Sequence, residues 1–206
     1  MKVLLINGSP HRDGCTATAL AEVSRTLNEE GVETETLWLG KEPIPGCIAC
    51  GACRKTGACF YHDLVNDCAD RLTQADGLIV GSPVYYSGAS GQLCSFLDRL
   101  FYSGSSRFAY KPAAAVVSCR RGGATAAFER LNQYFLMSDM PIVSSQYWNQ
   151  VHGNTPDEVR RDEEGLQTMR TLARNMAWLL RSIDAGRRAD IALPEKEPRL
   201  RTNFIR

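Results

Sequence analysis

Val3-Leu4-Leu5-Ile6-Asn7-Gly8-Ser9-Pro10 is the stretch on which the fold turns. Four consecutive apolar residues, closed by Gly-Ser-Pro, describe a short strand buried on both faces rather than one with a solvated side. Beyond the turn, Ala19, Leu20, Val23 and Leu27 recur at helical spacing over residues 16–30, and Gly31 is placed to cap that helix. Residues 33–39 alternate toward a second strand. The chain then keeps switching period. Residues 63–75 read as a helix, 77–80 as a buried strand, and 91–101 as a helix with Leu93, Phe96, Leu97 and Leu100 on one face. Residues 113–117 read as a strand, 124–137 as a helix and 142–147 as a fifth strand. A closing helix spans 158–183, with Leu166, Met169, Leu172, Met176 and Leu179 inward. Strands alternating with helices predict an α/β class in three layers, a five-stranded parallel sheet covered on both faces. Right-handed crossovers make the order 2-1-3-4-5 the economical winding, with a crevice where strands 1 and 3 part.

Composition narrows the class. A length of 206 residues suits one domain with a full core, expected over 1–185; residues 186–206 read as a C-terminal arm, loose or laid on a partner subunit. A formal net charge of +1 leaves no electrostatic footprint for nucleic acid or a membrane surface. The apolar run at residues 3–6 is too short for a signal peptide, and no stretch reaches membrane-spanning length, so a cytoplasmic location is expected. In that compartment the eight cysteines stay reduced, which argues against a disulfide framework.

Three loops at the carboxyl ends of the strands carry the chemistry. The first, residues 8–16, joins two glycines to Ser9, His11, Arg12 and Thr16 just ahead of a helix. Free amides and the positive helix end make a nest that fits a phosphate monoester. Neither the Walker pattern nor G-x-G-x-x-G is present, which disfavours triphosphate hydrolysis. The second, residues 81–91, sets Tyr85 and Tyr86 among small residues and can lay a planar heterocycle against backbone and aromatic edges. The third, Ser118-Cys119-Arg120-Arg121-Gly122-Gly123, offers amides or an arginine to an electron-rich ring edge.

A fourth feature interrupts the pattern. Cys47, Cys50, Cys53 and Cys59 stand as C-x2-C-x2-C-x5-C in a long connection, with Gly46, Gly51 and Gly57 to let the backbone wrap. Thiolates at this spacing suit an iron–sulfur cluster. Zinc is chemically open to four thiolates, and metal-free redox-active thiols are the third reading. The scattered Cys15, Cys68, Cys94 and Cys119 read as small packed residues.

Together, Gly8-Ser9-Pro10 with Gly14 and Thr16, and Gly81-Ser82-Pro83-Val84-Tyr85, resemble the flavin loops of the NAD(P)H-dependent FMN reductase group of flavodoxin-like proteins, over about residues 1–185. The resemblance implies a flavodoxin-like fold, an FMN cofactor, NAD(P)H as cosubstrate and a homodimer or homotetramer. It assigns the FMN phosphate to Ser9, His11, Cys15, Thr16 and Ala17, the ring to Pro83, Val84, Tyr85, Tyr86 and Gly88, and the pyrimidine edge to Ser118, Gly122 and Gly123. Cys15 departs from the small polar residue often found there, and a thiol is a weak donor. The cysteine run is similar to that of the iron–sulfur flavoproteins, which implies a [4Fe-4S] cluster on Cys47, Cys50, Cys53 and Cys59.

The function so implied is electron transfer from NAD(P)H through FMN to a small acceptor such as a flavin or quinone, with no catalytic side chain required. Two alternatives stand beside it. One is a one-electron carrier working with a ferredoxin-type protein. The other is a non-catalytic redox sensor switching at Cys50 or Cys53. Tyr147, Trp148, Asn149 and His152 are expected after the fifth strand, bordering the substrate pocket, and Trp178 is expected in the core.

Overall fold

A parallel sheet in the order β2-β1-β3-β4-β5 carries the chain, as the winding argument expects. Its strands are β1 (Lys2–Asn7), β2 (Glu33–Trp38), β3 (Gly77–Pro83), β4 (Ala113–Cys119) and β5 (Gln150–His152). They are connected by α1 (Cys15–Glu29), α2 (Cys53–Thr56), α3 (Leu64–Gln74), α4 (Gly91–Phe108), α5 (Ala124–Leu136), α6 (Pro156–Arg160) and α7 (Glu163–Arg188). This computed structural model describes residues 1–198, 200, 202 and 204.

The period of two along each strand divides the core. Leu4, Ile6, Leu78, Val80, Ala115 and Val117 face α3, α4 and α5, where Leu72, Phe96, Leu97 and Phe135 complete one cluster. Val3, Leu5, Ile79, Ala114 and Val116 face the opposite way onto Val23 and Leu27 of α1 and Leu172 and Met176 of α7. A strand apolar at every position is therefore required, because both faces are covered.

Three expectations need correction. The fifth strand is Gln150–His152, not residues 142–147. Ile142 makes only an isolated bridge to Ala113. Beyond it the polar run leaves the sheet for α7: Asn175 donates to the Ser144 carbonyl at 2.8 Å, and Thr171 and Gln167 hold Gln146. The closing helix is also two helices. Arg161 ends the first, and Asp162 caps the second, accepting from the Gly165 amide at 2.9 Å. Finally, Trp178 is 68% exposed. The buried stripe of α7 runs Met169, Leu172, Ala173, Met176, Ala177 and Leu180, and position 178 falls outside that face.

Two elements run longer than expected: α4 continues to Phe108 and α7 to Arg188. The arm expected from 186 thus begins inside the last turn of α7. Past the helix, Lys196 reaches Asp139 at 2.8 Å. The part of that expectation on residues 199, 201, 203, 205 and 206 lies outside the described residues.

Candidate functional site: a flavin crevice and a cysteine cavity

Backbone bonds draw the three loops together. The Gly8 amide donates to the Gly81 carbonyl at 2.9 Å, and the Val84 amide donates to the Ser118 carbonyl at 3.0 Å. The Ser90 hydroxyl donates to the Gly8 carbonyl at 2.7 Å and itself caps α4. Gly8 has to be glycine for this approach, because a Cβ there would come within 2.6 Å of the Leu93 side chain.

The first loop is held from within. Asn7 accepts from the Ser9 amide at 3.0 Å and donates to the Arg12 carbonyl at 3.1 Å, while Ser9 Oγ accepts from the His11 amide at 3.1 Å. The Trp38 indole donates to the Ser9 carbonyl at 2.8 Å. Gly14 stands at the N-cap of α1 with no side-chain cap, and no acidic residue occupies the first turn. The first helical bond there is from Thr18 to Gly14, so the amides of Cys15, Thr16 and Ala17 precede it. At Gly14 and Cys15 opens a basin lined also by His11, Arg12, Asp13, Lys41 and Trp38. Positive side chains and an uncapped helix start fit a phosphate.

Thr16 and Cys15 are placed differently from their neighbours. The Thr16 hydroxyl is buried and shares a 2.8 Å hydrogen bond with Ser118. The Cys15 thiol contacts the Gly153 carbonyl at 3.7 Å, and burial pushes its pKa up. Both residues therefore offer the crevice their amides first.

The second loop closes as a two-residue hairpin. Tyr85 and Gly88 exchange both of their backbone hydrogen bonds at 2.9 Å, with Tyr86 (φ 48°) and Ser87 (φ 60°) at the corner. Two positive φ values mark a type I′ turn, normally built from Asn and Gly. The strain projects Tyr86 wholly into solvent and leaves Tyr85 half exposed. Gly123, at φ 86°, caps α5 without a side chain. A Cβ on it would come within 2.7 Å of Ser87 Oγ, so the third loop packs directly on the second. A planar ring thus has candidates along its length and at one edge: Pro83 to Gly88 on one loop, and Ser118, Gly122 and Gly123 on the other.

All four cysteines of the run line one cavity, with Arg99, Tyr61 and Tyr102 among its walls. Ala49 (φ 54°), Gly51 (φ 70°) and Gly57 (φ 71°) turn the backbone around it. All four thiols are free. Among the described residues no three Cys, His, Asp or Glu side chains stand close enough to hold a metal ion. The donor set nonetheless fits an iron–sulfur cluster: four thiols, one cavity, and a guanidinium against one sulfur.

The sequence and these loops meet a known family. The NADPH-dependent FMN reductase profile matches residues 1–155. The chain belongs to that family. It is an FMN-dependent flavoprotein oxidoreductase. An iron–sulfur flavoprotein of Methanocaldococcus jannaschii is 33% identical over 191 residues, covering 89% of this chain and 99% of that protein. Another, from Methanosarcina thermophila, is 28% identical over 191 residues, covering 91% and 99%. A solved flavodoxin from the domain Archaea superposes with a TM-score of 0.59 at 16% identity, over 88% of this chain and 99% of its own. That likeness supports the flavodoxin-like fold. No helix among the described residues is long and apolar enough to cross a membrane.

Around this FMN reductase-family site, sequence reasoning missed several residues. Asn7 and Trp38, together with Ser82 and Ser90 of the second loop already read from the sequence, brace the flavin loops. Arg99 and Asp63 stand behind the cysteine cavity. Asp63 carried a legible signal, an acidic residue just before a helical run, and it caps α3 by accepting from the Val65 amide at 3.1 Å. Arg99 carried one too, since a charge between Leu97 and Leu100 falls beside an apolar helix face. Tyr147, Trp148 and Asn149 precede β5 rather than follow it. Tyr147 and Trp148 form an edge-on pair 4.8 Å apart, beside a cavity that His152 and Asp162 also line. The His152 amide donates to Asp162 at 2.6 Å.

Proposed function

We propose that this protein binds FMN in the crevice between β1 and β3, accepts electrons from NAD(P)H, and carries a [4Fe-4S] cluster on Cys47, Cys50, Cys53 and Cys59. When bound, FMN supplies two-electron chemistry and the cluster supplies one-electron chemistry. The chain's own residues bind and orient. The amides of Cys15, Thr16 and Ala17, with Ser9 and His11, receive the phosphate. Pro83, Val84, Tyr85, Tyr86 and Gly88 lie along the ring, and Ser118, Gly122 and Gly123 meet its pyrimidine edge.

The observation that carries the reading is the continuity of the two sites. Ser90, bonded into the flavin loops, caps α4, and Arg99 on the same helix walls the cysteine cavity. Nine residues of helix place them about 14 Å apart along its axis. The names of the M. jannaschii and M. thermophila relatives support the cluster.

A second reading, direct transfer from the flavin to a small acceptor, is favoured by the exposure of Tyr85 and Tyr86 at the crevice rim. Anaerobic purification with iron, sulfide and flavin analysis, followed by titration with NADH and NADPH, tests both. Iron and sulfide beside FMN support the cluster; zinc or unmetallated thiols overturn it and leave the second reading. A protein that retains no FMN overturns the whole assignment.

A further inference from the structure

Arg99 is a fully buried cation with a side chain 0% exposed, in a helix whose neighbouring buried residues are apolar. Such a group is costly unless every part of it is answered. Here each part is. Nη1 and Nη2 donate to the two oxygens of Asp63 at 2.8 Å each. Nη1 also donates to the Pro45 carbonyl at 3.3 Å, and the guanidinium lies 4.7 Å from the centre of the Tyr61 ring. Nε then has one direction left, and it donates to Cys59 Sγ at 3.2 Å.

The partners of Arg99 are themselves fixed. Asp63 caps α3. Asn66, one turn into that helix, accepts from the Cys59 amide at 2.9 Å and donates to the Cys59 and Tyr61 carbonyls at 3.0 Å each. Backbone and sulfur of Cys59 are thus both anchored on α3 and α4. The Cys53 sulfur, by contrast, is held by no guanidinium among the described residues: its thiol is directed at the Tyr102 carbonyl at 3.9 Å, and its carbonyl accepts from the Gly57 amide at 2.9 Å. The guanidinium is planar, and its fork on Asp63 leaves it no freedom to turn away from the sulfur.

We infer that Arg99 is a positioning residue that fixes an N–H donor on the Cys59 sulfur and thereby raises the reduction potential of the cluster held there. The inference rests on the cluster reading above. Its physical basis is that a donor to a ligating sulfur stabilises the more negative, reduced state, and outer hydrogen bonds of this kind tune such centres. The Asp63 carboxylate cancels the cation's formal charge, so the effect comes from the aimed N–H dipole.

The test uses holoprotein reconstituted anaerobically. Arg99→Lys keeps a cation for Asp63 and loses the planar Nε–H. Its expected result is unchanged iron, sulfide and FMN content, an unchanged flavin potential, and a cluster potential more negative by about tenfold in the one-electron equilibrium, which is about 59 mV. A fully loaded variant with the wild-type cluster potential overturns the inference. Should Arg99→Lys fail to fold or to load, the wild-type side chain decides. Arginine labelled with nitrogen-15 at Nε is introduced into Arg54→Lys protein, which removes the other guanidinium beside the run. A nitrogen-15 coupling to the reduced cluster in pulsed electron paramagnetic resonance supports the contact, and its absence overturns it. Wild-type protein that takes up no iron overturns the cluster reading itself, and the inference with it.

Discussion

The hydroxyls of Thr16 and Ser118 share a buried hydrogen bond of 2.8 Å, joining the first turn of α1 to the end of β4 across 102 residues of chain. It lies beneath the first and third loops of the crevice and ties their bases to each other. Thr16→Val preserves the shape and leaves the Ser118 hydroxyl buried without that partner. The expected cost is about 1–3 kcal/mol of unfolding free energy in the flavin-free protein, measured by urea titration. An unchanged midpoint means the two hydroxyls are not paired.

The uncapped start of α1 gives a sharper test of phosphate binding. Ala17→Asp places a carboxylate in a first turn that has no acidic residue, where the helix dipole favours it. The flavin-free fold is therefore expected to keep or slightly gain stability. FMN affinity is expected to fall by about tenfold or more through charge repulsion, with riboflavin affinity little changed. Equal losses for the two ligands in fluorescence titrations would remove the phosphate from this helix end.

Ser87 holds φ 60° without being glycine, at the corner of the hairpin against Gly123. Left-handed backbone costs an L-residue about 1–2 kcal/mol, and a glycine's extra freedom when unfolded returns part of that. Ser87→Gly is thus expected to stabilise the flavin-free protein by roughly 0.5–1 kcal/mol. A loss of stability would show that the turn does not take this form.

Cys68 links burial to pH. Burial in the face formed by α3 pushes its thiol from the ordinary 9.0 up to about 12. The unfolded chain ionises first, so the contribution is whole below about pH 9 and is lost as pH rises toward the folded value. Three units correspond to on the order of 4 kcal/mol. Between about pH 8 and about pH 11, wild-type stability is expected to fall more steeply than that of Cys68→Ala, whatever the constant offset from the lost side chain. Parallel slopes in urea titrations would show that Cys68 is not buried as a neutral thiol.

The residues themselves determined the layer pattern and the flavin loops. Buried parallel strands leave continuous apolar runs, and a turn that must admit backbone leaves Gly-Ser-Pro, so Val3 to Pro10 and Gly77 to Pro83 were legible without any partner in view. The tertiary structure decided what depends on contacts far apart in the chain. Residues 142–147 have the composition of a strand, yet Asn175 and Thr171 of α7 draw the polar half of that segment off the sheet, and pairing resumes only at Gln150. Trp178 is apolar, but helical phase set against the other residues of α7 puts it in solvent. The spacing of four cysteines announced redox or metal chemistry. That a buried arginine forty residues onward donates to Cys59 was settled only when α3 and α4 packed together, because the direction of an N–H is a property of the folded neighbourhood and not of the residue.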